Sequence, residues 1–166
     1  DKVSNLDSTT IKNGEFVLKG DVIQPEQYQM VIDMNEPGVA EPDYQKIFAS
    51  RIYIENTPMT YYVDLTGFPT EKDMSMITPV IKGSATQDTY QVYLELMTPI
   101  QDKLHSLNDS INNCKVLAQR VALAKEAIQL MDDMRQQTSK FIQDHTSSLV
   151  AFDLLNESFS ALPTPY

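Results

Sequence analysis

The chain has 166 residues, 42% of them hydrophobic, and carries 23 acidic against 13 basic side chains for a net charge of −10. That length fits one domain or two small subdomains, and at this size about 70% of the unfolded surface is buried on folding, so a core forms without staples. The apolar fraction argues against disorder, and the acidity repels phosphate backbones, which speaks against nucleic acid as a partner.

The apolar runs are only a few residues long, far short of the ~20 that span a bilayer, so no transmembrane segment is expected. Cys114 is the sole cysteine, which excludes an intramolecular disulfide. The chain opens at Asp1 with no methionine and no secretion signal, and reads as a processed protein, an expression product or a fragment. Acidic residues concentrate at the front: residues 1–99 hold 15 acids against 7 bases, residues 100–166 hold 8 against 6. Solubility explains this; a cationic partner or a weak cation site is the alternative.

All five glycines and seven of the nine prolines precede residue 100, and none lies between Ile100 and Leu162. The distribution predicts an α+β chain. Residues 1–83 form a mostly antiparallel, sandwich-like β-subdomain, residues 84–162 a helical hairpin or bundle, and residues 163–166 a tail.

In chain order, Lys12-Asn13-Gly14 supplies a tight turn between Thr9–Ile11 and Phe16–Leu18, a hairpin signal. Residues 27–34 set Tyr28, Met30, Ile32 and Met34 on one face against Gln27, Gln29, Val31 and Asp33, which is the period of a half-buried strand. Ile47–Glu55 reads as another strand. Residues 59–66 alternate Met59, Tyr61, Val63 and Leu65 with Thr60, Tyr62, Asp64 and Thr66, and Ser75–Lys82 is a weaker candidate. The separators Glu36-Pro37-Gly38, Asn56-Thr57-Pro58 and Gly67-Phe68-Pro69 are turn-like. Tyr61 and Tyr62 point to opposite faces; they pack across strands or line a groove that stacks a ligand.

Ser84 or Thr86 caps a helix with Asp88 in its first turn. From there a heptad seam runs through Tyr90, Met97, Leu104, Ile111 and Ala118, and through Tyr93, Ile100, Leu107, Cys114, Val121 and Ile128. Cys114 in that seam reads as a buried apolar filler rather than a reactive thiol. Pro99 is expected to kink or end the first helical segment, and Asn112-Asn113 to break it again. Ser147–Leu155 follows as a short apolar helix.

The search for chemistry is negative. His105 and His145 are far apart, and neither sits in a metal-ligand array; Asp102 and Asp109 beside His105 fit a surface charge pattern. Asp132-Asp133 reads as a solvated helix face, and the sequons at Asn108 and Asn156 as chance matches within helices. No phosphate loop, nucleophile elbow, calcium loop or dinucleotide fingerprint occurs. No catalytic, cofactor-binding or metal residue is assigned, no cofactor is expected, and ligand-binding residues remain open.

Several stretches, taken in order, resemble one bacterial family. They are Asp7-Ser8-Thr9; Asn13-Gly14-Glu15-Phe16 with Gly20 and Pro25; Tyr53-Ile54-Glu55-Asn56; Gly83-Ser84 with Asp88, Tyr90 and Tyr93; and Phe141-Ile142 with Ser148-Leu149-Val150-Ala151 and Leu154-Leu155. Over residues 7–156 the chain resembles the domain of unknown function numbered 4369 (DUF4369). The resemblance implies the N-terminal part of Gram-negative envelope lipoproteins whose C-terminal part is a thioredoxin-like thiol–disulfide oxidoreductase of the peroxiredoxin (AhpC/TSA) or TlpA type. The family opens with a secretion signal, a lipid-bearing cysteine and one or two strands, and its redox domain starts after the equivalent of Leu155. This sequence shows none of these, so no catalytic residue carries over, and the expectation is a fragment or a member lacking its oxidoreductase part.

The resemblance thus implies a non-enzymatic accessory domain in the periplasm or anchored at the outer membrane, which positions or regulates a thioredoxin-like domain in its parent chain or in trans. The alternatives are a periplasmic binding module for a peptide, glycan or small metabolite, and an enzyme of unrecognised type. If opening strands are missing, an unprotected sheet edge is expected near residues 8–19, open to a homo-oligomer.

Overall fold

A computed structural model describes residues 6–72 and 74–160, the side chains of 159 and 160 excepted. Its elements run β1 (Glu26–Asp33), β2 (Ile47–Ile54), β3 (Thr60–Tyr62), β4 (Val80–Lys82), α1 (Ala85–Asn113), α2 (Leu117–Asp144) and α3 (Leu149–Ser160). Short 3-10 turns at Tyr44–Lys46 and Met74–Met76 precede β2 and β4. The order is α+β, and the chain divides into two compact units between Ser84 and Ala85. The expected helical end at Leu162 and the tail 163–166 lie outside the described residues.

In the front unit β1 and β2 pair antiparallel along their whole lengths, from Glu26 opposite Ile54 to Asp33 opposite Ile47. The alternation read for residues 27–34 holds from Tyr28 to Asp33, where Ile32 is buried and Tyr28 and Met30 half-buried while Gln29, Val31 and Asp33 are exposed. It fails at the ends, where Gln27 is half-buried and Met34 exposed. Phe48, Ile52 and Tyr53 of β2 complete a core with Val22. The Phe48 ring meets Phe68 edge-on at a centroid distance of 6.0 Å. Aromatic pairs favour that arrangement.

The strands form two small ladders instead of one sheet. β3 pairs only with β4, over three residues, Tyr61 opposite Ile81. The burial alternation of 59–66 is as expected, but the ladder stops at Tyr62, because Asp64 turns the chain by accepting from the Thr66 backbone N–H at 2.9 Å. An acceptor of this kind competes with strand pairing. A 2.7 Å hydrogen bond between the Ser50 and Tyr61 hydroxyls ties β3 to β2.

The hairpin at 8–19 is a turn without strands. Asn13 and Gly14 take φ of 54° and 79°, and Lys12 and Glu15 exchange both backbone bonds at 2.9 and 3.0 Å, yet this single bridge is the whole ladder. The sheet edge expected there is therefore absent. Among the described residues, β1 pairs with β2 alone and has no partner strand on its other side.

The back unit packs α1, α2 and α3 against one another. On α1 the heptad seam is as read: Tyr90, Met97 and Leu107 are buried. α1 ends at Asn113, as the weak propensity of the asparagine pair suggested, but it does not end at Pro99, which lies inside the helix. Pro99 and Glu95, whose carbonyl loses its helical donor, are both exposed, so water can satisfy that carbonyl.

Past the break the seam changes phase. Val121 and Ile128 stay exposed, and α2 buries Ala127 and Phe141 with Leu123, Leu130 and Met134 half-buried beside them. The non-helical residues 114–116 reset the rotation, which moves the packed stripe two residues along the chain. Cys114 falls in that connection, half-buried, with its Sγ 3.4 Å from the Val116 carbonyl oxygen, and is not the core filler expected. α3 starts where Ser148 Oγ accepts from the Val150 N–H at 3.2 Å, and buries Val150, Ala151 and Leu154.

Candidate functional site

The chemistry-bearing side chains of the sequence do not converge. His105 sits on α1, 3.6 Å from Asp109 Oδ2, with both side chains mostly in solvent. Such a pair contributes little. His145 closes α2, its ring stacked on Phe141 at 4.1 Å and its Nδ1 2.9 Å from the Phe141 carbonyl oxygen. Asp132 pairs with Arg135 at 2.9 Å on the same helix surface. Asn108 and Asn156 lie within helices, as read. Among the described residues no group of three or more His, Cys, Asp or Glu is arranged to hold a metal ion, and no helix is long and apolar enough to cross a membrane.

The electrostatics follow the same pattern. Burial pushes the Tyr61 phenol above its ordinary range, against an opposing hydrogen bond from Ser50. The hydrogen bond to Glu26 raises Tyr28. Asp7, Asp33 and Asp64 are held below the usual carboxylate range, by the Lys19 backbone N–H, the Asn35 backbone N–H and the Thr66 side chain respectively. Each of these shifts moves its group away from neutral pH. A general acid or base works best with the opposite displacement.

What does converge is a set of fasteners in the front unit. Asp7 accepts from the backbone N–H of Ser8 and, twelve residues on, from that of Lys19, both at 2.8 Å. At Gly20 an added Cβ would stand in ordinary van der Waals contact with Leu6, 3.7 Å away, so no close approach demands glycine there. Asn56 grips Val22 by both backbone groups: its Oδ1 accepts from the Val22 N–H at 2.9 Å, and its Nδ2 donates to the Val22 carbonyl at 2.7 Å. The carboxamide thereby copies one rung of a β-ladder and holds the buried Val22 against the end of β2.

Asn35 does the same for the β1–β2 loop. It donates to Asp33 Oδ1 and to the Asp43 carbonyl, and accepts from the Asp43 N–H at 2.9 Å. Finally, Gly83 (φ 96°) passes so close to Pro58 that an added Cβ would overlap the Pro58 carbonyl oxygen, while the Thr57 hydroxyl donates to the Gly83 carbonyl.

Sequence reading missed the Asn56 and Asn35 roles. The Asp33, Asp43 and Asp64 turns have a local signature, an acceptor two residues before its donor. The Asn56–Val22 clamp joins residues 34 apart and leaves no such trace. Removing it by Asn56→Ala is expected to lower stability by about 1–3 kcal/mol, since a partly buried N–H and C=O lose their partner together. Urea denaturation of the two proteins measures it.

The exposed tyrosines are dispersed. Tyr62 leaves its ladder at 65% exposure, whereas Tyr61 on the opposite face packs against Phe16 at 6.3 Å.

Fold and site together define a small antiparallel β unit, clipped by side-chain and glycine fasteners, joined to a three-helix unit. The chain belongs to the family of the domain of unknown function DUF4369, whose model matches residues 1–90, more than half of the sequence. The match covers the front unit and the first turn of α1. Tyr93 and the stretches Phe141-Ile142 and Ser148–Leu155, counted above in the resemblance, lie beyond it. No curated protein and no solved structure matches the chain.

Proposed function

We propose that the chain is a non-catalytic accessory domain of the cell envelope, periplasmic or held at the outer membrane of a Gram-negative bacterium as part of a lipoprotein. Its role is to position or regulate a thioredoxin-like thiol–disulfide oxidoreductase domain. One observation carries this reading: in the front unit, the residues that carry the resemblance to the family are spent on fastening. Asp7 clips Lys19, Asn13-Gly14 makes the turn, Asn56 clamps Val22 and Gly83 fits under Pro58. Residues that secure a scaffold in this way fit a structural role better than a reaction.

The test is a turbidimetric disulfide-reduction assay with dithiothreitol as electron donor. The chain is expected to leave the uncatalysed rate unchanged. Turnover that disappears on Cys114→Ser would overturn the proposal, because it would place a working thiol in this chain.

A further inference from the structure

The β1–β2 ladder fixes which backbone groups of β1 face outward. Met34 donates its backbone N–H to the Lys46 carbonyl at 3.1 Å, one rung past the end of the ladder. In an antiparallel pair, hydrogen-bonded and non-bonded rungs alternate. The even-numbered residues of β1 therefore spend their backbone groups on β2, and Gln27, Gln29, Val31 and Asp33 point theirs away from it. The partner strand agrees independently: the N–H of Ala49, which faces Val31, turns outward and donates to Met74 Sδ at 3.3 Å. The Met74–Met76 turn thus caps the outer side of β2. Nothing among the described residues caps the outer side of β1.

This edge is eight residues long and contains no proline, lysine or arginine, the usual guards against strand addition. Val31 stands 51% exposed on it. We infer that the outer edge of β1 pairs antiparallel with β1 of a second copy, about a two-fold axis at Met30, to make a continuous four-stranded sheet across the dimer.

The sequence of the strand selects both the partner and the register. With Met30 opposite its own copy, Gln27 faces Asp33, Gln29 faces Val31 and Tyr28 faces Ile32 of the second chain. All four outward residues then meet outward residues, so each of four facing pairs exchanges two main-chain hydrogen bonds. The two-fold places the Gln27 amide beside the Asp33 carboxylate twice over, a donor–acceptor match. It also sets Glu26 and Asp33 away from their own copies. A parallel in-register pairing would align Glu26 with Glu26 and Asp33 with Asp33, which repel. On the core side Tyr28 and Ile32 form an aromatic–β-branched cross-strand pair, and the half-buried Met30 meets its copy.

Sedimentation velocity across the micromolar range reads the result. The 166-residue chain is expected to dimerise, and Gln29→Lys/Val31→Lys to weaken the dimer at least about tenfold, because each introduced lysine faces another. Gln29→Glu/Val31→Lys restores complementarity in this register alone and is expected to recover the dimer. Both positions are solvent-facing, and circular dichroism verifies that the variants remain folded. Met30→Cys in a Cys114→Ser background adds a covalent readout, since non-hydrogen-bonded facing residues lie within disulfide reach. It is expected to cross-link on mild oxidation. A chain that stays monomeric, a dimer indifferent to the two lysines, or one that does not cross-link at position 30 would each overturn the inference.

Discussion

Truncating Phe48 to alanine is expected to destabilise the front unit by about 3–5 kcal/mol, the range for deleting a buried phenyl ring. Phe48 is 1% exposed, faces Ile32 across the ladder and meets Phe68 edge-on. Its removal therefore takes away the contact between the long ladder and the turn that follows β3. The unit is small, so the space cannot be refilled from a deep second layer. Whole domains are stable by only about 5–15 kcal/mol, and a loss of this size leaves the ladder marginal. Amide exchange of the β1 and β2 protons reports the front unit separately from the helices, and those protons should lose most of their protection. Tyr62→Ala, on the exposed face of β3, is the control and is expected to change stability by less than about 0.5 kcal/mol. Equal effects of the two substitutions would mean that the core is not centred on Phe48.

The long elements were legible because their signals are periodic and local. β1 shows the period-two burial its residues announce, and α1 buries Tyr90, Met97 and Leu107 as the heptads require. Two kinds of feature were not legible. The first is phase: a seam extrapolated through Cys114 to Val121 and Ile128 fails because three non-helical residues rotate α2, and periodicity holds no memory across such a break. The second is long-range satisfaction of backbone groups. Asn56 looks like an ordinary turn former, and only the fold shows that it replaces a strand partner for Val22. Residues 8–19 carried a hairpin signal, and the Asn13-Gly14 turn forms, but its flanks pair through one bridge only.

The family match and the fold divide the chain at nearly the same place. The model of DUF4369 ends at residue 90, and the compact front unit ends at Ser84. The match therefore covers the β unit, in which Asp7, Asn13-Gly14, Asn56 and Gly83 each take an identifiable mechanical part. None of these parts requires an ionisable group near neutrality. The same unit bears the outer edge of β1, which has no partner strand among the described residues, so its partners are more readily sought through backbone pairing than through a pocket.

Gly83→Ala is expected to be the costliest glycine substitution in the chain, about 3 kcal/mol or more, because two penalties, a positive φ and an overlap with backbone, combine there. At Gly67, which also has a positive φ, an added Cβ would crowd only the Glu71 side chain. The first penalty at Gly83 is conformational: a positive φ of 96° burdens any residue with a Cβ, by about 1–2 kcal/mol. The second is steric. The new Cβ would overlap the Pro58 carbonyl oxygen and approach Met59 Cα to 3.2 Å, and both are backbone atoms with no rotamer to change. Relief requires the Asn56–Met59 turn to move, yet Thr57 in that turn is bonded to the Gly83 carbonyl and Asn56 to Val22. The displacement would therefore spread from β4 to the end of β2. Gly38→Ala separates the two penalties, since Gly38 has a φ of 83° but open space around it. It is expected to lose only the conformational part, about 1–2 kcal/mol. Thermal and urea denaturation of both variants should place Gly83→Ala at least about 1 kcal/mol below Gly38→Ala, in the class where backbone strain and overpacking combine. Equal losses would show that the Pro58 turn yields freely, and that Gly83 serves its φ alone.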